Sequence, residues 1–84
     1  VLSDDKAALY VTGDSLSERA LENLMDVIDD RVELEVVNVL EKPWLARERG
    51  IIAIPTLERL NPGPERRVIG DLSDADALRR FLGI

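Results

Sequence analysis

Lys6-Ala7-Ala8-Leu9-Tyr10-Val11-Thr12, followed at once by Gly13-Asp14-Ser15, decides how this 84-residue chain is read. The first seven residues are nearly all apolar, with β-branched and aromatic members, which suits a strand covered on both faces. Gly13 and Asp14 end it. Ser15 stands three residues before Glu18, the spacing of a capping box that opens a helix. Leu16, Ala20, Leu21, Leu24, Met25, Val27 and Ile28 then recur near a 3.6-residue period, giving that helix one wide apolar face. A buried strand running straight into an amphipathic helix begins an α/β unit.

The pattern continues outward. Asp29-Asp30-Arg31 is a polar break, and residues 32–39, with Val32, Leu34 and Val36 alternating with glutamates, read as a second strand, expected parallel to the first. Pro43 at a first-turn position and Gly50 at a usual stopping point delimit a short helix over residues 43–49. Residues 51–60 are apolar but interrupted by Pro55. Asn61-Pro62-Gly63-Pro64 then turns the chain into a short strand over 66–69, making a hairpin. Ser73 and Asp76 repeat the capping-box spacing ahead of a last helix whose Ala75, Leu78, Phe81 and Leu82 share one side. The expected architecture is α/β, in the order β-α-β-α-β-β-α, as a single domain over residues 1–84 with 1–5 as a flexible opening.

Composition narrows the chemistry. Nearly half of the residues are apolar and a third charged, the balance of a globular domain. Asp and Glu outnumber Lys and Arg by 17 to 11, a net charge of −6 that repels nucleic acid and anionic membrane surfaces. Arg66-Arg67 and Arg79-Arg80 are too few and too diluted by acids to form a nucleic-acid stripe. The chain has no cysteine and no histidine. Thiol redox chemistry, disulfides, the usual zinc ligands and every Ser/His/Asp arrangement are thereby excluded. No apolar run reaches membrane-spanning length and no signal-peptide pattern opens the chain, so the expected location is the cytoplasm.

Few residues are left to carry function. Asp71, Asp74 and Asp76 lack the spacing and glycine of a calcium loop and read as helix-capping charge, so no metal and no cofactor are expected. Asp29 and Asp30 read as a solvated turn. Pro55 opens a strand, at the position where thioredoxin-like folds keep a cis-proline beside their binding site; the residues alone leave cis and trans open. Where thioredoxins carry a Cys-x-x-Cys pair, this chain has Gly13-Asp14-Ser15-Leu16-Ser17, so a disulfide reductase is ruled out. Trp44, the one tryptophan, is either a core plug or an exposed anchor.

Four strings carry a family resemblance: Leu9-Tyr10-Val11-Thr12-Gly13; Val37-Asn38-Val39-Leu40-Glu41-Lys42-Pro43-Trp44-Leu45-Ala46; Ile54-Pro55-Thr56-Leu57; and Arg67-Val68-Ile69-Gly70-Asp71-Leu72-Ser73-Asp74. Together they resemble the signature segments of the KaiB family of circadian-clock proteins. The resemblance implies a thioredoxin-like domain, an alternative ground-state fold to which the chain switches from about Ala53 onward, and no enzymatic activity. It further implies an adaptor that binds the amino-terminal ATPase ring of a KaiC-type protein and, in cyanobacteria, captures KaiA. The expected form is a monomer when thioredoxin-like and a tetramer in the other fold. The alternative reading is the sensor domain of a SasA-type histidine kinase. By the same resemblance the partner surface comprises Asn38, Lys42, Pro43, Trp44, Ala46 and Arg47 over Pro55, and Gly70, Asp71, Ser73 and Asp76 form the fold-switch or helix-cap region. The capped pattern over residues 73–82 favours the thioredoxin-like arrangement.

Overall fold

A computed structural model of the chain describes residues 5–61 and 63–84. Its elements are β1 (Asp5–Val11), α1 (Ser15–Val27), β2 (Val32–Asn38), α2 (Pro43–Arg49), β3 (Thr56–Asn61), β4 (Arg66–Ile69) and α3 (Ala75–Leu82), in the expected order. The strands form one sheet ordered β2-β1-β3-β4. β1 runs parallel to β2 and antiparallel to β3, and β3 and β4 form the expected hairpin. Asp5, expected in the flexible opening, instead begins β1 opposite Val32; residues 1–4 of that opening lie outside the described residues.

β1 is central, and successive side chains of a strand point to opposite faces. Ala7, Leu9 and Val11 enter a core completed by Ala20 and Leu24 of α1 and Leu78 and Leu82 of α3, joined by Val32, Leu57 and Leu72. Ala8 and Tyr10 enter a smaller cluster on the other face, with Val37 and the partly buried Leu45 of α2, Ile51 and Ile54. Burying each Leu of the larger core contributes about 1.5–3 kcal/mol. The stripe on α1 is narrower than its periodicity implied: Leu16 and Met25 remain exposed, because α1 lies over the sheet with Ala20 and Leu24 inward.

Both N-caps are displaced by one residue from the capping-box positions. Asp14, not Ser15, is the N-cap of α1, its carboxylate accepting from the Ser17 amide at 2.8 Å. Asp74, not Ser73, caps α3 in the same way, accepting from the Ala77 amide at 3.0 Å. An acceptor three residues ahead of a free helical amide is what the geometry requires, and each aspartate supplies it one step from the serine. Ser17 turns inward, where its Oγ accepts from the Thr12 amide at 3.1 Å. Ala75, expected on the apolar side of α3, is exposed as that helix's first residue.

Candidate protein-binding surface

Strand register gathers four turns at one end of the sheet. Val11 pairs with Asn38, Tyr10 with Thr56, and Thr56 with Ile69. The segments just beyond them, at Gly13, Val39, Pro55 and Gly70, therefore lie side by side. Backbone hydrogen bonds stitch them: Val39 donates to the Val11 carbonyl at 2.9 Å and Gly70 to the Pro55 carbonyl at 3.1 Å. Pro55 is buried, its bond to Ile54 is cis, and the Thr56 hydroxyl donates to the Ala53 carbonyl.

Asn38 builds the turn into α2. Its Oδ1 accepts from the Leu40 amide at 2.9 Å, and its carbonyl accepts from the Glu41 and Lys42 amides at 3.1 and 3.0 Å. Lys42 precedes the helix without a side-chain cap, Pro43 occupies its first turn, and Gly50 ends it at φ 67°, a left-handed geometry that glycine adopts without strain. No residue of α2 is buried. Trp44 is 49% exposed, so it is an exposed side chain and not a core plug. Of the sequence-predicted surface, Lys42, Pro43, Trp44 and Arg47 are exposed, while Asn38 and Ala46 are half-buried supports.

The second group is spread more widely. Gly70 has φ 119° and Leu72, buried in the larger core, has φ 60°. A left-handed leucine is strained, and the burial of its side chain offsets that cost. Asp71 accepts from the Ser73 amide at 3.1 Å through its carboxylate and from Asn23 Nδ2 at 2.7 Å through its carbonyl, tying the turn to α1. Asp76 lies further along, on α3, where it pairs with Arg79 at 3.3 Å. Of these four, Gly70 is tied to the Pro55 turn by a backbone hydrogen bond. Among the described residues no group of three acidic side chains is placed to hold a metal ion.

The Asp14 carboxylate, drawn to the Ser17 amide and then to its hydroxyl, titrates below the ordinary aspartate range. It serves the helix end, in the place where thioredoxins carry thiols.

Apart from Trp44, two features have no local signature in the sequence. Seven large apolar side chains are exposed among the described residues, and five of them, Leu16, Leu40, Trp44, Ile52 and Ile69, belong to segments entering or leaving this end of the sheet. Leu40 and Ile52, 72% and 97% exposed, lie in loops, where periodicity carries no signal. The other feature is Glu58, fully buried on β3. Its Oε1 accepts from Arg49 Nε at 3.2 Å and from the Tyr10 hydroxyl at 3.4 Å, and its Oε2 accepts from Arg67 Nε at 2.9 Å. The Arg67 guanidinium also donates to the carbonyls of Arg49 and Gly50 at the end of α2. Arg49 Nη2 reaches Glu65 at 3.0 Å, and these carboxylates hold the guanidinium above its ordinary pKa.

Residues 8–84 match the KaiB domain as a family. The chain belongs to the KaiB family. This KaiB domain is 45% identical over 73 residues to the circadian clock oscillator protein KaiB of Prochlorococcus marinus strain MIT 9303, an alignment covering 81% of this chain and 61% of that relative. The chain thus spans less than two thirds of that relative's length. Its fold is close to the amino-terminal domain of Synechococcus elongatus SasA, with a TM-score of 0.76 at 23% identity over 99% of this chain and 87% of that one. A thioredoxin from Malassezia sympodialis superimposes with a TM-score of 0.78 at 22% identity, over 96% of this chain and 74% of that one. The fold of this KaiB domain is therefore thioredoxin-like. Its relatives are named as clock oscillator proteins, not as enzymes. No helix among the described residues is long and apolar enough to cross a membrane.

Proposed function

We propose that this KaiB domain is a non-enzymatic adaptor that docks on the amino-terminal ATPase ring of a KaiC-type protein through the end of the sheet carrying Lys42, Pro43, Trp44 and Arg47. The observation that carries this reading is the half-exposed Trp44 on a helix that buries no residue of its own. Large aromatics are over-represented among the side chains that dominate protein interfaces, and here one stands beside other exposed apolar groups. In this reading the exposed Leu40 and Ile52 belong to the surface, and the half-buried Asn38 and Ala46 and the buried Pro55 serve as its supports. The clock relatives favour a free adaptor over a kinase sensor domain, because the likeness to SasA, at 23% identity, speaks for the fold alone.

The test is a titration of the domain with the KaiC-type ATPase of its own organism, under ATP and then ADP, following Trp44 fluorescence and complex size by chromatography. The expected result is saturable, nucleotide-dependent binding with a shift in Trp44 emission. No complex by either readout, after incubation long enough for a slow refolding step, overturns the adaptor reading and turns attention to a kinase context.

A further inference from the structure

The buried polar side chains among the described residues are Ser17, Thr56 and Glu58. Ser17 and Thr56 serve the backbone a few residues away. Glu58 has no such local duty: its partners come from β1, from the last residue of α2 and from β4. A buried carboxylate in an ion cluster is seldom a better source of stability than a well-packed apolar side chain, but in some proteins such a cluster fixes one geometry. Here that geometry is the seat of α2. The helix lacks buried residues, Leu45 is its member packed against the smaller cluster, and its last turn is gripped from two sides. Arg49 reaches inward to Glu58. Arg67, held by the same carboxylate, reaches back to the terminal carbonyls of α2.

We propose that Glu58 is the positioning residue of the binding surface: by bridging Arg49 and Arg67 it locks α2 onto the β3–β4 hairpin and sets the angle at which Trp44 is presented. The consequence for partner affinity rests on the adaptor reading above; the lock itself does not. A charge-fixed helix is set by direction as well as by contact, because a carboxylate between two guanidinium groups accepts hydrogen bonds along particular lines.

The experiment compares the unchanged chain with Glu58→Gln, which keeps the side chain's size and removes its charge, by native-state hydrogen exchange and by titration with the KaiC-type ATPase. The amides of Gly50 and Ile51, which donate to Arg47 and Ala46, report on the end of α2; those of Ala8 and Leu9 report on the central strand. Expected is an acceleration of the α2 amides at least about ten-fold beyond that of the β1 amides, the mark of local rather than global opening. Partner affinity should fall by about ten-fold, as when a preorganised surface is loosened. Equal acceleration of both sets, or none, overturns the lock. Should Glu58→Gln not fold, Arg49→Met removes one arm from a partly exposed position and must move the same amides in the same direction. Absence of binding by the unchanged chain refutes the adaptor reading, and the exchange data still decide the lock.

Discussion

The two faces of the sheet are built on different principles. The face under α1 and α3 is mainly aliphatic: Leu9, Leu24, Leu57 and Leu82 are entirely or almost entirely excluded from solvent, with the partly buried Phe81 packed against the same core and Arg59 donating to the Phe81 carbonyl. The face under α2 is thinner, with Ala8, Tyr10 and Val37 buried and a carboxylate-guanidinium cluster beside them. Hydrophobic burial is strong and non-directional, so it anchors a fold; charge-assisted hydrogen bonds add less net stability but specify orientation. The domain therefore separates what holds it together from what aims its surface.

The sharpest way to break that contrast is to cut into the aliphatic face. Leu24→Ala removes a fully buried side chain of α1 and should cost about 2–5 kcal/mol by urea denaturation. For a domain of this size that is a large share of the total stability. A loss below about 1 kcal/mol would show that the site collapses around the cavity and that this face is not the main anchor.

Removing Glu58 comes next. Loss of one partner from a fully buried pair costs about 3–5 kcal/mol, but the side chains of Arg49 and Arg67 are 36% and 38% exposed and can be rehydrated. Glu58→Ala should therefore cost about 1–3 kcal/mol, less than the core truncation. The single tyrosine gives a second readout. Burial, and then the Glu58 charge, raise the Tyr10 phenol above its ordinary 10.0, against a smaller opposing effect of Arg49 and alongside a small one of Glu35. The folded state thus favours the neutral phenol, so this contribution is complete below pH 10 and is lost as pH rises through the higher folded value. In Glu58→Gln, absorbance should show Tyr10 ionising at lower pH than in the unchanged chain. An unmoved titration would place the carboxylate outside Tyr10's electrostatic reach.

The helix caps lie below both. Asp74→Ala should destabilise by about 1 kcal/mol, measured by thermal unfolding. Asp14 adds an acid limb of known sign. Its folded pKa is depressed by the Ser17 amide, so its contribution is present above the unfolded value and disappears as pH falls through the lower folded one. Asp14→Asn should flatten the acid side of the stability profile, and a profile of unchanged slope would mean that the cap contributes no pH dependence.

What was readable in the sequence follows the same division. The strand over 6–12, the helix at 43–49 and the strand at 66–69 announce themselves because apolar periodicity and the Pro43, Gly50 and Pro-Gly signals act locally. The placement of the aliphatic core follows from the same pattern. Glu58 does not announce itself: in Thr56-Leu57-Glu58-Arg59 it alternates with Leu57 just as a solvent-facing residue does, and only register reveals Arg67 across the hairpin and Arg49 above it. Spacing points to Ser15 and Ser73 as caps because it cannot tell adjacent acceptors apart when Asp14 and Asp74 stand beside them. Trp44 was open in the sequence because a seven-residue helix is too short for its apolar face to be recognised.

Trp44→Ala should have the smallest effect on stability of these changes and the clearest effect on binding. Half of the side chain is already in water, and α2 is held through Leu45 and Arg49, so its loss should stay within about 0.5 kcal/mol by urea denaturation and leave the circular dichroism unchanged. Affinity for the KaiC-type ATPase should fall by about 2 kcal/mol or more, the loss expected when an aromatic anchor is truncated. Together with Glu58→Gln, the variant separates aim from contact. If Glu58 acts by aiming Trp44, the two changes must be non-additive, the double variant binding little worse than Trp44→Ala alone. Full additivity would mean that Glu58 governs some other part of the surface, such as the Ile52 loop that follows the end of α2.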